Sequence, residues 1–446
     1  MSSDPTLPAV SLFTNCGAGD LGFSRAGFSF EVLAELDARR LSVAALNLPG
    51  AATVPGDLRE TWPVVVKEYR KRRSDDRPAL LAACPPCQGM SSARSGRGRD
   101  DDPDAGSRDQ RNLLVAVIAS VTKALKPRAV IVENVPPFLT RAVRHPVTRA
   151  PISAAALLRR SLSRSYVCNA LVADLADFGV PQTRKRSFMC FLRRDEPAVT
   201  KLPAQGRSPF PRPTHAPEDG RQHISIREAL RALGADSLDG ASAAAAGTGL
   251  HVVPVWTSEQ YAMVSSIPPG SGRGAWDNPD CLECGEPAGA EQAQCPACEA
   301  PLPRPVVQEE DATWRLVRGF RASSYTRMHP ERPAATITTA SGHVGSDYTI
   351  HPNENRVLSP WECQHLQTFP QAFEWGDALK KWGTTNVRAM IGEAVPPQFT
   401  ELHGEVLAGL LTGRARRASI SESDQRIVRA LDRLSRAEKI ARTNGA

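Results

Sequence analysis

Two segments of the sequence carry side chains suited to nucleophilic and acid–base chemistry. The stretch Leu80 to Ser91 reads LLAACPPCQGMS; its apolar start predicts a buried parallel strand, which the prolines end just before Cys87. A thiol in such a polar turn can be drawn toward the thiolate, the form that attacks carbon. Glu133 ends a second apolar run, at the same predicted sheet edge, where a carboxyl beside an electrophilic ring can donate or share a proton. A buried structural cysteine and a capping carboxylate are the alternative interpretations.

A basic segment further along the chain adds positive charge to this set. The sequence DFGVPQTRKRSFMCF places Gln182, Arg184, Lys185 and Arg186 on an extended piece. The alternation of Arg184 and Arg186 suits a strand whose charged face points at something anionic or polar. A solvated basic turn would explain the same residues.

A glycine-rich turn near the start of the chain predicts a cofactor site. The stretch VSLFTNCGAGDLGFSRAGF, Val10 to Phe28, reads as a strand, a turn and a helix. Gly17, Gly19 and Gly22 permit close approach of a ligand to the backbone, and Asn15 is a residue that tolerates positive φ. Such a turn can cradle a nucleotide-like cofactor, although many strand–turn–helix units bind nothing there.

Two acidic residues lie where a nucleotide would need them. Glu35 ends the next predicted strand, the position from which ribose hydroxyls are held in nucleotide-binding sheets. Asp57 follows a proline-glycine turn, where it can accept from an adenine amino group or bond to the backbone of its own turn. An ordinary solvated carboxylate explains Glu35 equally well.

Four cysteines predict a metal site in the second half of the chain. Their spacing is C-x2-C-x10-C-x2-C, and Gly285 and Pro296 favour the turns that two knuckles require. Four thiolates close a tetrahedral zinc site and leave no position for water, so the metal would be structural. The predicted ligands are Cys281, Cys284, Cys295 and Cys298.

Composition places the protein among soluble intracellular proteins. The chain has 446 residues, a formal net charge of +7 and ten cysteines. No apolar run approaches the length needed to span a bilayer, and Met1 to Pro8 lacks the basic-then-apolar pattern of a signal peptide. In a reducing cytosol such cysteines are metal ligands, catalytic groups or buried apolar residues rather than disulfides. The basic residues are mostly arginine, which suits phosphates and guanine edges, but a GC-rich genome gives the same bias.

A change to proline-rich and low-complexity sequence near residue 200 predicts a domain boundary. Ser92 to Gln110 is polar and aperiodic, typical of a linker or of a loop that closes over substrate. The tail after Arg414 is basic, and one helical face there suits docking, oligomerisation or DNA contact. The remaining expectations are helices over Pro63–Arg73, Leu113–Leu125, Ala154–Ser163 and Arg356–Phe369, short strands within Tyr325–Tyr348, a turn and helix led by Gly392, and an apolar tail face of Ile427, Leu431 and Leu434.

Taken together and in order, these segments resemble the cytosine-C5 DNA methyltransferase family. LFTNCGAGDLGF looks like its first cofactor motif, PPCQGMS its nucleophile motif, ENV its glutamate motif and QTRKR its arginine motif. RPAATITT with RVLSPWECQHLQTFP, and finally IGEAVPP, resemble its last two motifs. The similarity covers nearly the whole chain except an insert from about 200 to 320 and the tail.

The resemblance implies a chemistry for the strand-end residues. Cys87 attacks C6 of a cytosine flipped out of duplex DNA, and C5 then accepts a methyl group from S-adenosylmethionine. Glu133 binds the N3 and amino edge, while Arg186, with Arg184 nearby, steadies the exocyclic oxygen and the loop. The implied role is restriction-modification or phage defence, with defence-system or restriction proteins as partners, in a bacterial cytoplasm in association with the nucleoid.

The resemblance also implies a cofactor pocket, in which Glu35 holds the ribose hydroxyls and Asp57 the adenine amino group. Two positions depart from the family pattern. This chain has Asn15 where the family usually has Gly, and Glu393 where the family usually has Asn. A carboxylate beside the cofactor's own carboxylate repels it, so Glu393 points away or cofactor affinity is reduced. The cofactor-binding residues implied are Phe13, Asn15, Cys16, Gly17, Ala18, Glu35, Leu36, Asp57, Leu58, Pro85, Glu393 and Ala394.

The expected fold is α/β: a Rossmann-like methyltransferase sheet with helices on both faces, plus a smaller mixed target recognition domain with the four-cysteine zinc site. The expected divisions are 1–200 for the catalytic domain, 201–350 for target recognition, 351–413 for the return to the catalytic domain, and 414–446 for the tail.

Three alternatives stay open. One is an RNA cytosine-5 methyltransferase, against which the large zinc-bearing insert argues, because a duplex reader needs such a module. Another is a non-catalytic DNA-binding regulatory protein. In the third, the zinc module binds a protein partner in a host-defence assembly.

Overall fold

The structure is a computed structural model, and it describes residues 6–74, 76–86, 114–140, 142–144, 151–204, 207–217, 220–240, 249–413 and 426–431. Cys87, the loop from Ser92 to Gln110, and Leu434 lie outside the described residues. Among the described residues, no helix has both the length and the apolar character needed to cross a bilayer.

The strands are short and mostly buried. In chain order they are β1 (Leu7–Leu12), β2 (Phe28–Glu35), β3 (Ala52–Pro55), β4 (Leu80–Ala83), β5 (Ala129–Asn134), β6 (Ala142–Arg144), β7 (Pro151–Ser153), β8 (Tyr166–Asp174), β9 (Lys185–Arg193), β10 (Val306–Gln308) and β11 (Trp314–Leu316). Seven of them form one sheet in the order β3-β2-β1-β4-β5-β9-β8. β1 to β5 run parallel, whereas β9 pairs antiparallel with both β5 and β8.

Helices cover both faces of this sheet, as expected. They are α1 (Ala18–Arg25), α2 (Ala38–Asn47), α3 (Leu58–Arg73), α4 (Val115–Leu125), α5 (Ala154–Leu162), α6 (Ala198–Ala204), α7 (Ile226–Leu233), α8 (Ser258–Ser265), α9 (Pro360–Leu366), α10 (Ala378–Glu393) and α11 (Pro397–Thr412). Alternate strand residues pack to opposite sides: Val130 joins the core under α3, α4 and α5, whereas Ile131 joins the core under α1 and α11. The apolar runs are therefore strands buried on two faces.

The C-terminal helix α11 packs directly on α1, which brings the end of the described chain beside the first strand. A side chain at Gly22 would overlap Thr400 and the backbone of Pro397, so only glycine permits this contact. Thr400 Oγ1 also donates to the Gly19 carbonyl at 2.7 Å. This packing places the segment between α10 and α11 next to the glycine-rich turn.

The tail contributes a short helix at 426–431 that packs on the chain itself. Leu431 is buried in the core under α3 and α4, and Ile427 packs against that core. These two side chains are therefore covered by the chain's own core rather than presented for docking.

Four element predictions were wrong in detail. The segment Tyr325–Tyr348 forms only isolated bridges instead of short strands, and buried Arg327 connects it to the carbonyls of Ile267 and His351. Gly392 lies inside the end of α10 rather than in a turn; a Cβ there would overlap the Thr338 backbone. The third is the start of α3: it begins at Leu58, and Asp57 caps it, whereas a start at Pro63 was expected. The helix expected over Arg356–Phe369 is also shorter, spanning Pro360–Leu366.

Candidate active site and zinc cluster

A cavity of about 1330 Å³ opens at the carboxyl ends of β1, β2, β4 and β5. This is the edge at which ligands bind in open α/β sheets. The cavity is also walled by the turn before α11 and by residues of the 201–350 segment, including Arg321 and Tyr348. Most of the site residues expected from the sequence line it: Phe13, Asn15, Ala18, Glu35, Leu36, Asp57, Leu58, Pro85, Glu133, Arg184, Arg186, Glu393 and Ala394.

The glycine-rich turn has the strained geometry that its sequence indicates. Phe13, Asn15 and Gly17 adopt positive φ values of 59°, 52° and 80°. Asn15 Nδ2 donates to the carbonyl of Met390 at 2.9 Å, which ties the turn to α10. The expectation of positive φ at Asn15 is confirmed.

Cys16 and Gly17 lie behind the cavity wall rather than in its lining. Cys16 is fully buried in the cluster that contains Ala18 and Val43, and burial raises the pKa of its thiol to about 12. Gly17 caps α1, and a Cβ there would come within 3.1 Å of Ala44. These two residues shape the turn that the cofactor would contact.

Glu35 is held in a fixed orientation at the end of β2. Its Oε2 accepts from the Asn15 backbone N–H at 2.9 Å, and its Oε1 accepts from the Asp37 N–H at 3.1 Å. Each carboxylate oxygen can accept more than one hydrogen bond, so Glu35 can also receive hydroxyl donors from a ligand. The neighbouring Leu36 is 68% exposed, which leaves an apolar surface beside this carboxylate.

Asp57 caps α3, which is one of the two roles considered for it. Its Oδ1 accepts from the Arg59 N–H at 2.8 Å and caps α3, and its carboxylate pairs with the Arg59 guanidinium. The hydrogen bonds from Arg59 lower the pKa of Asp57, so it stays ionised as an acceptor. Its carboxylate still lines the cavity, as does Leu58.

Glu133 lines the cavity at the end of β5, where two other side chains contact it. It is buried, and its Oε1 lies 3.0 Å from Nε of Arg186. Its Oε2 accepts from Cys84 Sγ at 2.7 Å. Asn134 Nδ2 donates to the carbonyl of Pro85 at 2.9 Å, which ties the end of β5 to the turn after β4. The described chain on that turn stops at Pro86, one residue before the predicted nucleophile Cys87.

The two arginines of the basic segment have different surroundings. Arg186 lies on β9 and reaches Glu133, whereas Arg184 precedes β9 and is 1% exposed. The Arg184 guanidinium donates to the carbonyls of Ile337, Gly392 and Ala394 at 2.9–3.0 Å. Arg184 therefore holds two distant segments together at the cavity wall, and Arg186 is the arginine that contacts the carboxyl group.

Glu393 does not stand alone at the cofactor side of the cavity. Its carboxylate forms an ion pair with Arg40, a residue of α2 that also lines the cavity. Neither this partner nor Cys84 was predicted from the sequence. The sequence does show a basic residue in the helix that follows Glu35 and a second cysteine just before the nucleophile motif. It does not show which side chains these two residues contact.

One more carboxyl group lies under the cavity and was not predicted. Asp20, on α1, is buried and accepts from Ser11 Oγ at 2.8 Å. Burial raises the pKa of Asp20 to about 7, with the Ser11 hydrogen bond opposing the shift. This side chain contributes less negative charge to the cavity wall at neutral pH than an exposed aspartate would.

The four cysteines of the insert meet at one point. The sulfur atoms of Cys281, Cys284, Cys295 and Cys298 all lie within 4.8 Å of one another. Cys281 and Cys298 are 3.6 Å apart and Cys284 and Cys295 3.5 Å, close to the roughly 3.8 Å edge of a tetrahedron with Zn–S bonds of about 2.3 Å. Gly285 has φ 77°, as a knuckle turn requires.

Buried Arg304 supports the loops of this cluster. Its guanidinium donates to backbone carbonyls of Asn278, Ala288 and Gln292 at 2.7–3.0 Å. Arg304 therefore joins the loops around the two cysteine pairs, beside the backbone hydrogen bonds that the loops make themselves.

Comparisons with known proteins agree with these motifs. The sequence model of the family described as C-5 cytosine-specific DNA methylase matches residues 7–408. Type II methyltransferase M1.HgaI of Avibacterium volantium is 26% identical over 404 residues, which cover 89% of this chain and 96% of that protein. Type II methyltransferase M1.HphI of Haemophilus parahaemolyticus is 24% identical over 414 residues, covering 91% and 88%.

A solved structure shows the same fold. A prophage-encoded protein of E. coli, described as a DNA modification methyltransferase, matches with a TM-score of 0.54 at 18% identity. The match covers 91% of this chain and 100% of that one. At this level of identity the likeness concerns the fold alone.

Proposed function

The chain belongs to the C-5 cytosine-specific DNA methylases, and from this membership we propose how its own residues methylate cytosine in duplex DNA. The observation that carries the proposal is the arrangement around Glu133. A buried carboxyl group is gripped by Arg186 on one oxygen and by Cys84 on the other, beside the turn that leads into Cys87. Such a group is oriented to meet the edge of a pyrimidine ring.

In the proposed reaction the Cys87 thiolate attacks C6 of cytosine, and the electron pair of the C5–C6 bond moves onto C5. Glu133 accepts a hydrogen bond from the exocyclic amino group and shares a proton with N3 as negative charge develops there. Arg186 steadies Glu133 and the exocyclic oxygen. After methyl transfer a base removes the C5 proton, the sulfur–C6 bond breaks and the thiolate leaves.

The cofactor side of the cavity fits S-adenosylmethionine, which supplies an electrophilic methyl group when bound. Glu35 is oriented for ribose hydroxyls, and exposed Leu36 offers an apolar surface to the adenine ring. Asp57 accepts from the adenine amino group, and Leu58 packs beside it. The cavity volume of about 1330 Å³ leaves room for a nucleoside and a flipped base together.

The target cytosine has to leave the helix, because C6 and C5 are shielded by stacking in duplex DNA. Residues near the end of the 201–350 segment also line the cavity, among them Arg321, Ser323, Asp347 and Tyr348. We assign residues 201–350 to target recognition, with residues 1–200 and 351–413 forming the catalytic domain and 414–446 a basic tail. Base readout then comes from arginines that reach the major groove.

The four-cysteine cluster is proposed to hold one structural zinc ion. Its sulfur spacing and its lack of an open coordination position suit a metal that stiffens the recognition domain. Relatives named Type II methyltransferases support a role in restriction-modification. A role in phage defence, a bacterial cytoplasmic location close to the nucleoid, and a restriction or defence-system partner are further parts of the proposal.

The test is bisulfite sequencing of DNA from cells that express the wild type or Cys87→Ser. The proposal expects methylated cytosines in one sequence context for the wild type and none for the variant. In parallel, purified protein is offered duplex DNA and tRNA with labelled S-adenosylmethionine. Preferential transfer to tRNA would contradict DNA as the substrate, and methylation by Cys87→Ser would contradict the nucleophile.

A further inference from the structure

An ion pair joins α2 to the end of α10 on the cofactor side of the cavity. Arg40 Nη1 contacts Glu393 Oε2, and the two side chains keep 23% and 29% of their surface exposed. Both line the cavity, next to Asn15 and Ala394. Partly exposed ion pairs contribute only about 0–1 kcal/mol to folding. Stability alone is therefore a weak reason for placing these charges at a ligand site.

The charges around Arg40 explain why the cavity tolerates an acid at position 393. Burial lowers the pKa of Arg40, but the hydrogen bond and charge of Glu393, with the charges of Glu35 and Asp37, outweigh burial and raise it. Without Arg40, this wall would carry three carboxylates and would repel a fourth. Arg40 thus cancels the repulsion between Glu393 and a ligand carboxylate.

We propose that Arg40 and Glu393 together bind the amino-acid end of S-adenosylmethionine, Arg40 taking its α-carboxylate and Glu393 its α-ammonium. The inference rests on the proposed function, since it requires this cofactor in the cavity. The α-carboxylate and α-ammonium are neighbours of opposite sign, and the ion pair presents the complementary two charges. Arg40 has five N–H donors, so it can accept a ligand carboxylate bidentately and still contact Glu393.

The position of the pair along the cofactor agrees with this assignment. Arg40 lies in the first turn of α2, shortly after Glu35, the residue proposed to hold the ribose. Glu393 lies on α10, and the carbonyl of Met390 on that helix accepts from Asn15 of the glycine-rich turn. A nucleoside held at Glu35 therefore extends its methionine end toward the pair. If the ion pair only held α2 against α10, its removal would change the affinity for all ligands to the same extent, whatever charges they carry. The test therefore compares ligands that differ in those charges.

The experiment measures binding by calorimetry with three probes. Of the two charged groups of the amino-acid end, S-adenosylmethionine has both, decarboxylated S-adenosylmethionine has only the ammonium, and 5′-methylthioadenosine has neither. The first two compounds also share the sulfonium charge, so the comparison between them isolates the carboxylate. The variants are Arg40→Gln and Glu393→Gln. The matched control is Arg39→Gln, which removes a neighbouring arginine on the same helix that pairs with Asp37 and does not line the cavity.

We expect Arg40→Gln to weaken S-adenosylmethionine about tenfold, equal to about 1.4 kcal/mol, and to leave decarboxylated S-adenosylmethionine unchanged. Glu393→Gln should weaken the decarboxylated compound, whose ammonium loses its carboxylate partner. Neither variant should alter the affinity for 5′-methylthioadenosine, and Arg39→Gln should match the wild type with all three probes.

Equal losses for the first two probes in Arg40→Gln, or weaker binding of 5′-methylthioadenosine, would show a helix clamp and overturn the inference. That result would leave the cofactor pocket itself intact. If wild-type protein binds none of the three probes, the proposed function fails at its cofactor, and the inference falls with it.

Discussion

Arg184 and Arg186 belong to one short motif, but their contacts predict opposite consequences of truncation. Arg184 is almost fully buried and donates to three backbone carbonyls, those of Ile337, Gly392 and Ala394. Arg186 touches the carboxyl group of Glu133 at the cavity. We expect Arg184→Ala to reduce stability, and Arg186→Ala to reduce the rate of methyl transfer in a protein that still folds.

The size of the Arg184 effect follows from its bonds. A hydrogen bond to a charged group contributes about 1.5–3 kcal/mol, so removing three of them should cost at least about 4 kcal/mol. Natural domains have only about 5–15 kcal/mol of stability in total. For a chain of 446 residues, the melting temperature of Arg184→Ala should therefore fall by about 5 °C or more. Loss of an electrostatic contact at the reacting ring should lower the turnover of Arg186→Ala by about 10²–10³.

The assay combines thermal unfolding followed by circular dichroism with single-turnover methyl transfer at saturating substrates. Arg184→Lys and Arg186→Lys are the matched controls, since each keeps a positive charge but loses the planar fork of donors. Arg184→Lys should recover part of the stability, which keeps the test usable if Arg184→Ala does not fold. Unchanged melting of Arg184→Ala, together with strong destabilisation in Arg186→Ala, would refute the division of roles.

Three further predictions address the remaining parts of the site and the core. Cys84→Ala removes a donor to Glu133 and should lower kcat with little change in KM for DNA. Cys84→Ser keeps a donor and should retain most of the rate. Equal losses in both variants would contradict the hydrogen-bonding role of Cys84. Metal analysis should find about one zinc per chain. Cys281→Ser should lose both the metal and DNA binding while it still binds S-adenosylmethionine. A metal-free wild type that binds DNA normally would exclude the structural zinc. Burial lowers the pKa of His403 from 6.5 to about 3, with only partial opposition from the Pro209 backbone, so the unfolded chain binds the extra proton first and stability falls as the pH drops below 6.5. His403→Leu should flatten this part of the stability profile measured by urea unfolding, and parallel profiles for the two proteins would argue against a neutral buried histidine.

The sequence was sufficient to predict which strand-end side chains lie at the same edge of the sheet. Glu35 and Glu133 each end an apolar run, and parallel strands bring such ends to one edge, where the structure has its cavity. The knuckle spacing of the cysteines likewise predicted that their sulfurs would meet. In both cases local spacing or strand direction determines the neighbours, so no knowledge of distant contacts was needed.

The unpredicted parts are contacts between residues far apart in the chain. Arg40 and Glu393 are 353 positions apart, and nothing in either local sequence states that they pair. Cys84 and Glu133 are 49 positions apart; Cys84 follows β4 and Glu133 lies on the adjacent β5, and the sequence alone did not supply the register of these strands. An acid at position 393 therefore suggested repulsion, whereas the structure supplies the compensating charge from another helix.

Gly392 shows how one signal can have two physical causes. Glycine before a polar and proline-containing segment is typical of a turn, but here it permits the end of α10 to approach the backbone of Thr338. Similarly, Arg184 and Arg186 alternate as a strand face should, yet only Arg186 faces the cavity carboxyl group. Sequence pattern alone does not separate a positioning arginine from one at the reacting ring.

The central claim is that Cys87 bonds to C6 of a flipped cytosine. The direct measurement uses a duplex that carries 5-fluorocytosine at the methylated position. A base can remove a proton from C5 but cannot remove fluorine in its place, so the bond between C6 and sulfur persists. After incubation with S-adenosylmethionine, peptide mass mapping should place the DNA adduct on Cys87 in the wild type, with none in Cys87→Ser. Normal methylation with no adduct, or an adduct on a different residue, would contradict the account.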